Sequence, residues 1–150
     1  MRLKIPPALV TLIVGFLMYV LAKFLPFGDF SFTGRIYLMY FLFGIGILIG
    51  LWSLLQFFSK KTSINPVTPD SASTLVNKGL YAFTRNPMYL ALLLLLMAWG
   101  LFLGNAFNTL LAAGFVSYMN AFQIIPEEEA LEKIFGTEFL NYKIKVRRWF

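Results

Sequence analysis

The sequence contains no cysteine and no histidine. Without cysteine there is no disulfide framework, no thiolate nucleophile and no cysteine-ligated metal. Without histidine the usual neutral-pH general base and the commonest zinc ligand are missing as well. No metal is expected, and any acid–base work falls to Glu, Asp, Tyr or Lys. Charge is sparse: 13% of the residues, and only 7 of the 150 are acidic.

Apolar residues fill the space that charge leaves. At 59% hydrophobic and 18% aromatic, a chain of one domain's length carries more apolar surface than one soluble core can hide. The composition predicts an integral membrane protein, and apolar runs of helix-span length make it all-α. A net charge of +6 would point to nucleic acid only if the basic residues formed a soluble patch. They flank the apolar runs instead, so membrane topology explains them and no nucleic-acid partner is expected.

Four spans are predicted. Ile5 to Phe24 follows a basic head (Arg2, Lys4) and is long enough to cross about 30 Å of hydrocarbon at about 1.5 Å per residue. A signal peptide also has a basic head and an apolar run. No small-x-small cleavage site follows Leu21, however, and an anchor is expected. After a turn-rich connector (Pro26, Gly28, Asp29, Gly34) comes Ile36 to Phe58, with Gly46 and Gly50 spaced for close helix packing or simply tolerated. Tyr89 to Leu103 spans if its helix starts at Pro87. Gly104-Asn105 then makes a tight turn into Ala106 to Ile125, so the last two spans form a helical hairpin. Asn108, Ser117, Asn120 and Gln123 on the fourth span should face protein or a cavity.

Between the second and third spans lies the longest polar stretch. It carries turn chemistry at Asn65-Pro66 and Thr68-Pro69-Asp70, and Ser71 or Ser73 is placed to cap a short helix before Gly79. Leu75, Val76, Leu80, Tyr81 and Phe83 argue that this loop packs on something. Pro126 opens a separate cytoplasmic amphipathic helix, with Leu131, Ile134, Phe135, Phe139 and Tyr142 at helical spacing and a break near Gly136. Lys143 to Phe150 is basic and ends in Trp149-Phe150, the composition of an interfacial anchor, and Arg147 and Arg148 read as membrane-surface charges.

Eleven of the thirteen Lys and Arg fall on one side of this topology, with Lys23 and Arg35 on the other. Positive-inside then places both termini and the long loop in the cytoplasm of a multi-pass protein of the cell (inner) membrane. The hairpin brings Arg85-Asn86-Pro87 and Glu127-Glu128 to one depth on one face. Such a cluster is either a ligand site or an interfacial ion-pair group that fixes helix tilt.

These residues carry a resemblance. Asn65-Pro66, Leu75-Val76-x-x-Gly79-x-Tyr81, Thr84-Arg85-Asn86-Pro87-Met88-Tyr89, Pro126-Glu127-Glu128-x-x-Leu131, Phe135-Gly136, Tyr142 and Val146-x-Arg148 occur in the order seen in one family. The chain resembles the isoprenylcysteine carboxyl methyltransferase family in its small bacterial-type form, and more distantly the membrane phospholipid methyltransferases. Better-known members have His where this chain has Asn86. Asn only donates and accepts hydrogen bonds, so no titrating imidazole role carries over.

The resemblance implies methyl transfer from S-adenosylmethionine, leaving S-adenosylhomocysteine, to a hydrophobic or lipid-linked small molecule among the membrane lipids at the cytoplasmic face. It implies Arg85 and Glu128 as catalytic residues, and Tyr81, Arg85, Asn86, Pro87, Tyr89, Glu127, Glu128 and Tyr142 around the cofactor; Glu129 is expected to be solvated. A carboxylate acceptor would need no general base; an amine would have to lose a proton. Residues 1–58 would then be two anchoring spans and 59–150 the methyltransferase-like, cofactor-binding region of a single membrane domain. A non-catalytic scaffold or lipid-binding protein with the same fold is the alternative. A transporter is disfavoured because no charge sits mid-span and no inverted repeat is visible.

Overall fold

The computed structural model of the chain describes residues 5–59 and 74–150. The turn chemistry at 65–70 and the capping serines at 71 and 73 lie outside those residues. The described residues form six α-helices and no strand: α1 (Pro7–Phe24), α2 (Arg35–Ser59), α3 (Pro87–Leu103), α4 (Asn108–Met119), α5 (Ile125–Phe135) and α6 (Thr137–Lys145). Short 3₁₀ turns sit at Pro26–Gly28 and Gly79–Ala82. Three helical stretches are long and apolar enough to cross a membrane, at Pro7–Phe24, Arg35–Gln56 and Asn108–Phe135; α3 is apolar but shorter.

Local chemistry fixes the helix ends. Pro7 and Pro87 each start a helix, where a missing N–H costs nothing and φ is already helical. Gly104 ends α3 in the left-handed conformation, at φ 68°, which only glycine adopts freely. The following turn is tied to the α1–α2 connector. Asn105 is buried and its amide donates to the Leu25 carbonyl at 2.7 Å and to Asp29 Oδ1 at 3.3 Å.

One expectation is corrected at Pro126. The helix does not end before it: α4 runs into α5 as one continuous stretch from Asn108 to Phe135. A proline inside a helix offers no N–H and its ring crowds the carbonyl one turn back. Here a π-helical turn, Asn120–Ile124, sits immediately before it, and the Ile125 N–H reaches the Asn120 carbonyl. The break comes later, at Gly136 (φ 50°), which separates α5 from α6.

Packing follows glycine and alanine. α2 lies against α3, where a side-chain carbon on Gly46 would meet the Leu95 side chain at 3.2 Å and the Ala91 carbonyl at 3.3 Å, and one on Gly50 would meet the Ala91 methyl at 3.4 Å. The Gly46/Gly50 pair is therefore a helix contact, a small-residue seam that lets backbones approach. α1 is bound to α3 by the Trp99 indole N–H, which donates to the Gly15 carbonyl at 3.0 Å. The main core joins α1, α3 and α4 through Met18, Tyr89, Leu96, Phe115 and Met119; a second, smaller one joins Leu75 to Phe139, Tyr142 and Val146.

Of the four polar residues on the fourth span, Asn108 and Gln123 are buried and Asn120 accepts from the Trp149 indole at 3.0 Å. Ser117 departs from expectation and is exposed. Its hydroxyl donates to the Ala113 carbonyl at 3.0 Å, an i−4 bond that satisfies a serine on a helix without any outside partner.

Candidate functional site

The helix ends converge on one face. Gln56 near the end of α2 accepts the Leu80 N–H at 3.1 Å and lies 3.4 Å from the Lys78 carbonyl, clamping the 3₁₀ turn Gly79–Ala82 beside the start of α3. Gln123 donates to the Ile5 carbonyl at 2.7 Å, bringing the start of α1 to the same level. Because α3 and α4 are joined at their far ends, the start of α3 also meets the start of α5. The Tyr89 hydroxyl donates to Glu127 Oε1 at 2.6 Å.

At the centre sits Glu128, buried and gripped by two arginines. Arg85 Nη2 is 3.1 Å from its Oε1. Arg148 donates from Nε to Oε1 at 3.1 Å and from Nη2 to Oε2 at 2.7 Å, a bidentate pair. That hydrogen bond to Glu128 pushes the Arg148 pKa up. Glu129 is exposed. Tyr142 donates to the Tyr81 carbonyl at 2.6 Å. Burial pushes the Tyr81 phenol well above its ordinary range, with Tyr142 and the Glu127 carboxylate adding to it. Burial likewise raises Tyr142, with Arg85 pulling the other way. Both hydroxyls are therefore protonated donors at neutral pH.

The sequence-predicted residues Tyr81, Arg85, Asn86, Pro87, Tyr89, Glu127, Glu128 and Tyr142 fall on this one face, in two linked groups: the Arg85–Glu128 pair, and Tyr89 on Glu127 with Tyr81 beside Tyr142. Pro87 is buried and starts α3. Asn86 is turned to the backbone, its amide donating to the Arg148 carbonyl at 2.9 Å. Arg148 is the residue that sequence reasoning misplaced. Read as a surface charge, it is instead the second cation on Glu128. Its place in the Val146-x-Arg148 motif was the signal for it, and that signal does not name a partner. Thr84 stood in the motif without a role; its hydroxyl donates to the same Arg148 carbonyl at 3.2 Å.

Among the described residues, two polar atoms in this cluster are buried with no hydrogen-bond partner: the Tyr81 hydroxyl and Arg85 Nε. A buried donor without an acceptor is costly, so native proteins rarely keep one without a use. Both are donors, and both belong to the face where the helix ends meet.

A sequence model of the phospholipid methyltransferase family matches residues 34–138, from the start of α2 into α6. The chain belongs to the phospholipid methyltransferase family. Membership implies methyl transfer at a membrane, and methyltransferases of this family generally use S-adenosylmethionine. The match covers the Arg85-Asn86-Pro87 and Glu127-Glu128 elements of this phospholipid methyltransferase family member; α1 and the segment carrying Arg148 lie outside it. The chain is also similar to an uncharacterized protein of Haemophilus influenzae, 53% identical over 62 residues, which are 98% of that protein and 41% of this chain. No solved structure matches the chain.

Proposed function

We propose that the protein is an S-adenosylmethionine-dependent membrane methyltransferase that methylates a hydrophobic or lipid-linked acceptor at the cytoplasmic face. The observation that carries this is the cluster of buried Glu128 and Tyr89 with half-buried Arg85 and Glu127, and the unpartnered Tyr81 hydroxyl and Arg85 Nε beside it, in a chain of this family. The residues fit the methyl donor. Two carboxylates suit its amine and ribose hydroxyls, Arg85 suits its carboxylate, and the Tyr81, Tyr89 and Tyr142 rings suit the adenine or a sulfonium cation. When bound, the donor supplies an electrophilic methyl group.

The protein's part is positioning and exclusion of water rather than covalent chemistry. Glu128 and Arg85 hold the donor end of the site, while Tyr89 fixes the Glu127 carboxylate. Asn86 acts through the backbone it clips, and Pro87 sets where α3 begins. A carboxylate acceptor would need no base; an amine acceptor could pass a proton to Glu127 or to water.

In the topology we propose, α3 is the third of four spans. Its 17 residues cover about 26 Å at about 1.5 Å per residue, close to the hydrocarbon thickness. With α4 it forms a membrane hairpin, and α6 lies at the cytoplasmic surface of the inner membrane with both termini on that side. The eleven-to-two split of Lys and Arg supports that orientation. Exposed apolar side chains along α1 and α2, Leu12, Phe16, Leu48 and Leu55 among them, suit contact with lipid, so an acceptor's apolar part would reach the site sideways from the bilayer.

Calorimetry of detergent-purified protein with S-adenosylmethionine and with S-adenosylhomocysteine tests this. Saturable binding is expected for both. A folded protein that binds neither would leave the scaffold reading in its place.

A further inference from the structure

Val146 to Trp149 continues from α6 as an extended segment laid against Thr84–Asn86. Its backbone is held by donors from that segment: the Arg85 N–H to the Arg147 carbonyl at 3.0 Å, and the Thr84 hydroxyl and Asn86 amide to the Arg148 carbonyl at 3.2 and 2.9 Å. The side chains alternate as in any extended chain. Val146 is buried in the smaller core, Arg147 is exposed, Arg148 reaches Glu128, and the Trp149 indole donates to Asn120. The segment is thus strapped down at both edges, and its one inward charge lands on the site's most buried carboxylate.

The geometry at Glu128 shows what the strap adds. Arg85 reaches one carboxylate oxygen through one nitrogen, which leaves the carboxylate plane free to turn. Arg148 contacts both oxygens and fixes that plane. Resting on the donor-site reading above, we propose that Arg148 is a positioning residue. Seated by the Val146–Trp149 strap, it holds the Glu128 carboxylate in the orientation that the methyl donor needs. Donor affinity then depends on a segment beyond residues 34–138, where the family model matches.

The test measures S-adenosylhomocysteine affinity by calorimetry for the full chain and for Arg148→Ala, Arg148→Lys, Thr84→Val and the double variant Arg148→Ala/Thr84→Val, with exchange of the Arg85 amide hydrogen as a readout of strap seating. Arg148→Ala should weaken binding about ten- to a hundredfold, the size of a charge-assisted hydrogen bond. Arg148→Lys should recover little of that, because an ammonium pairs with a carboxylate but not bidentately. Thr84→Val keeps Arg148 but loosens its seat, so it should speed Arg85 exchange and weaken binding. The double variant should be no worse than Arg148→Ala alone, since both changes remove one event.

Wild-type affinity in Arg148→Ala overturns the proposal while leaving the donor site standing. So does full recovery of affinity in Arg148→Lys, or losses that add in the double variant. If the unaltered protein binds no S-adenosylhomocysteine, the donor site itself fails and the positioning role falls with it. Should Arg148→Ala not fold, Arg148→Lys and Thr84→Val decide the matter, and wild-type affinity in both overturns it.

Discussion

The Asn86 side-chain amide donates to the Arg148 carbonyl at 2.9 Å, closing a link between the start of α3 and the strap. The role asks for a donor, not a titrating group. An imidazole N–H at the same position would also supply a donor. Asn86→Asp keeps the shape but removes the donor and points a carboxylate at a carbonyl. It should cost about 1–3 kcal/mol in thermal unfolding and weaken S-adenosylhomocysteine binding. Asn86→His should retain most of both. Equal tolerance of Asp and His would mean the contact is not used.

Glu128 carries two guanidiniums, and its side chain is only 10% exposed. Replacing it by Gln leaves both cations without their counter-charge in a poorly solvated place. We expect a loss of about 3 kcal/mol, the lower end for a broken buried pair because the Arg148 side chain is 33% exposed. Donor binding should fall with it. Glu129→Gln, on the exposed neighbour, should change neither melting temperature nor affinity, and a matching loss there would mean that the effect is one of net charge alone.

How much of this was legible from sequence depends on the kind of signal. The membrane helices announce themselves as apolar runs, and α3 beginning at Pro87 follows from what proline does at a helix start. Tyr89 meeting Glu127 follows from two helices joined closely at their far ends. The continuous helix through Pro126 was not legible, because a proline reads as a boundary and nothing in Asn120–Ile124 spells out the π turn that carries the helix past it. Nor was the Arg148–Glu128 pair, which joins a helix to an extended segment with no shared periodicity. Gln56 on the 3₁₀ turn is the same case: one amide near a helix end, reaching across a long loop.

That Gln56 contact crowds Gly79, where an added side chain would push the Gln56 amide off its hydrogen bonds. Its φ is +64°, and a Cβ there would overlap the Gln56 amide. Gly79→Ala should therefore destabilise by about 1–2 kcal/mol or more, from the left-handed backbone and the overlap together. Adding Gln56→Ala should relieve the overlap but not the backbone strain, so the double variant should cost less than the two single losses summed. Simple additivity in thermal unfolding would mean that the two residues do not touch.

Tyr81 and Tyr142 face alkaline pH in a defined way. Burial favours their neutral form, so their pKa values in the fold lie above the ordinary value of about 10. The stability this contributes is whole below pH 10 and is lost as pH rises toward the folded pKa values. In a titration followed by tyrosinate absorbance, Tyr81→Phe should match the unaltered protein through about pH 10 and differ only where unfolding begins. Missing amplitude near pH 10 would show a hydroxyl that titrates in water.

Two asparagines at the far end of α3 and α4 should respond in opposite directions. Both are buried. The Asn105 amide donates to the Leu25 carbonyl and to Asp29, and its oxygen accepts the Phe107 N–H at 3.0 Å. The Asn108 amide has no partner at either polar atom among the described residues. Each met bond contributes about 1 kcal/mol, while an unmet buried group costs about 1–3 kcal/mol. Asn105→Leu should therefore lower stability by about 3 kcal/mol, and Asn108→Leu, close in shape and free of polar atoms, should raise it by about 1–2 kcal/mol. Neither residue touches the donor site, so S-adenosylhomocysteine affinity should stay unchanged in whichever variant remains folded. A lower melting temperature for Asn108→Leu would mean that its amide is satisfied through a buried water, and would reassign it from a cost to a tie between α1, α3 and α4.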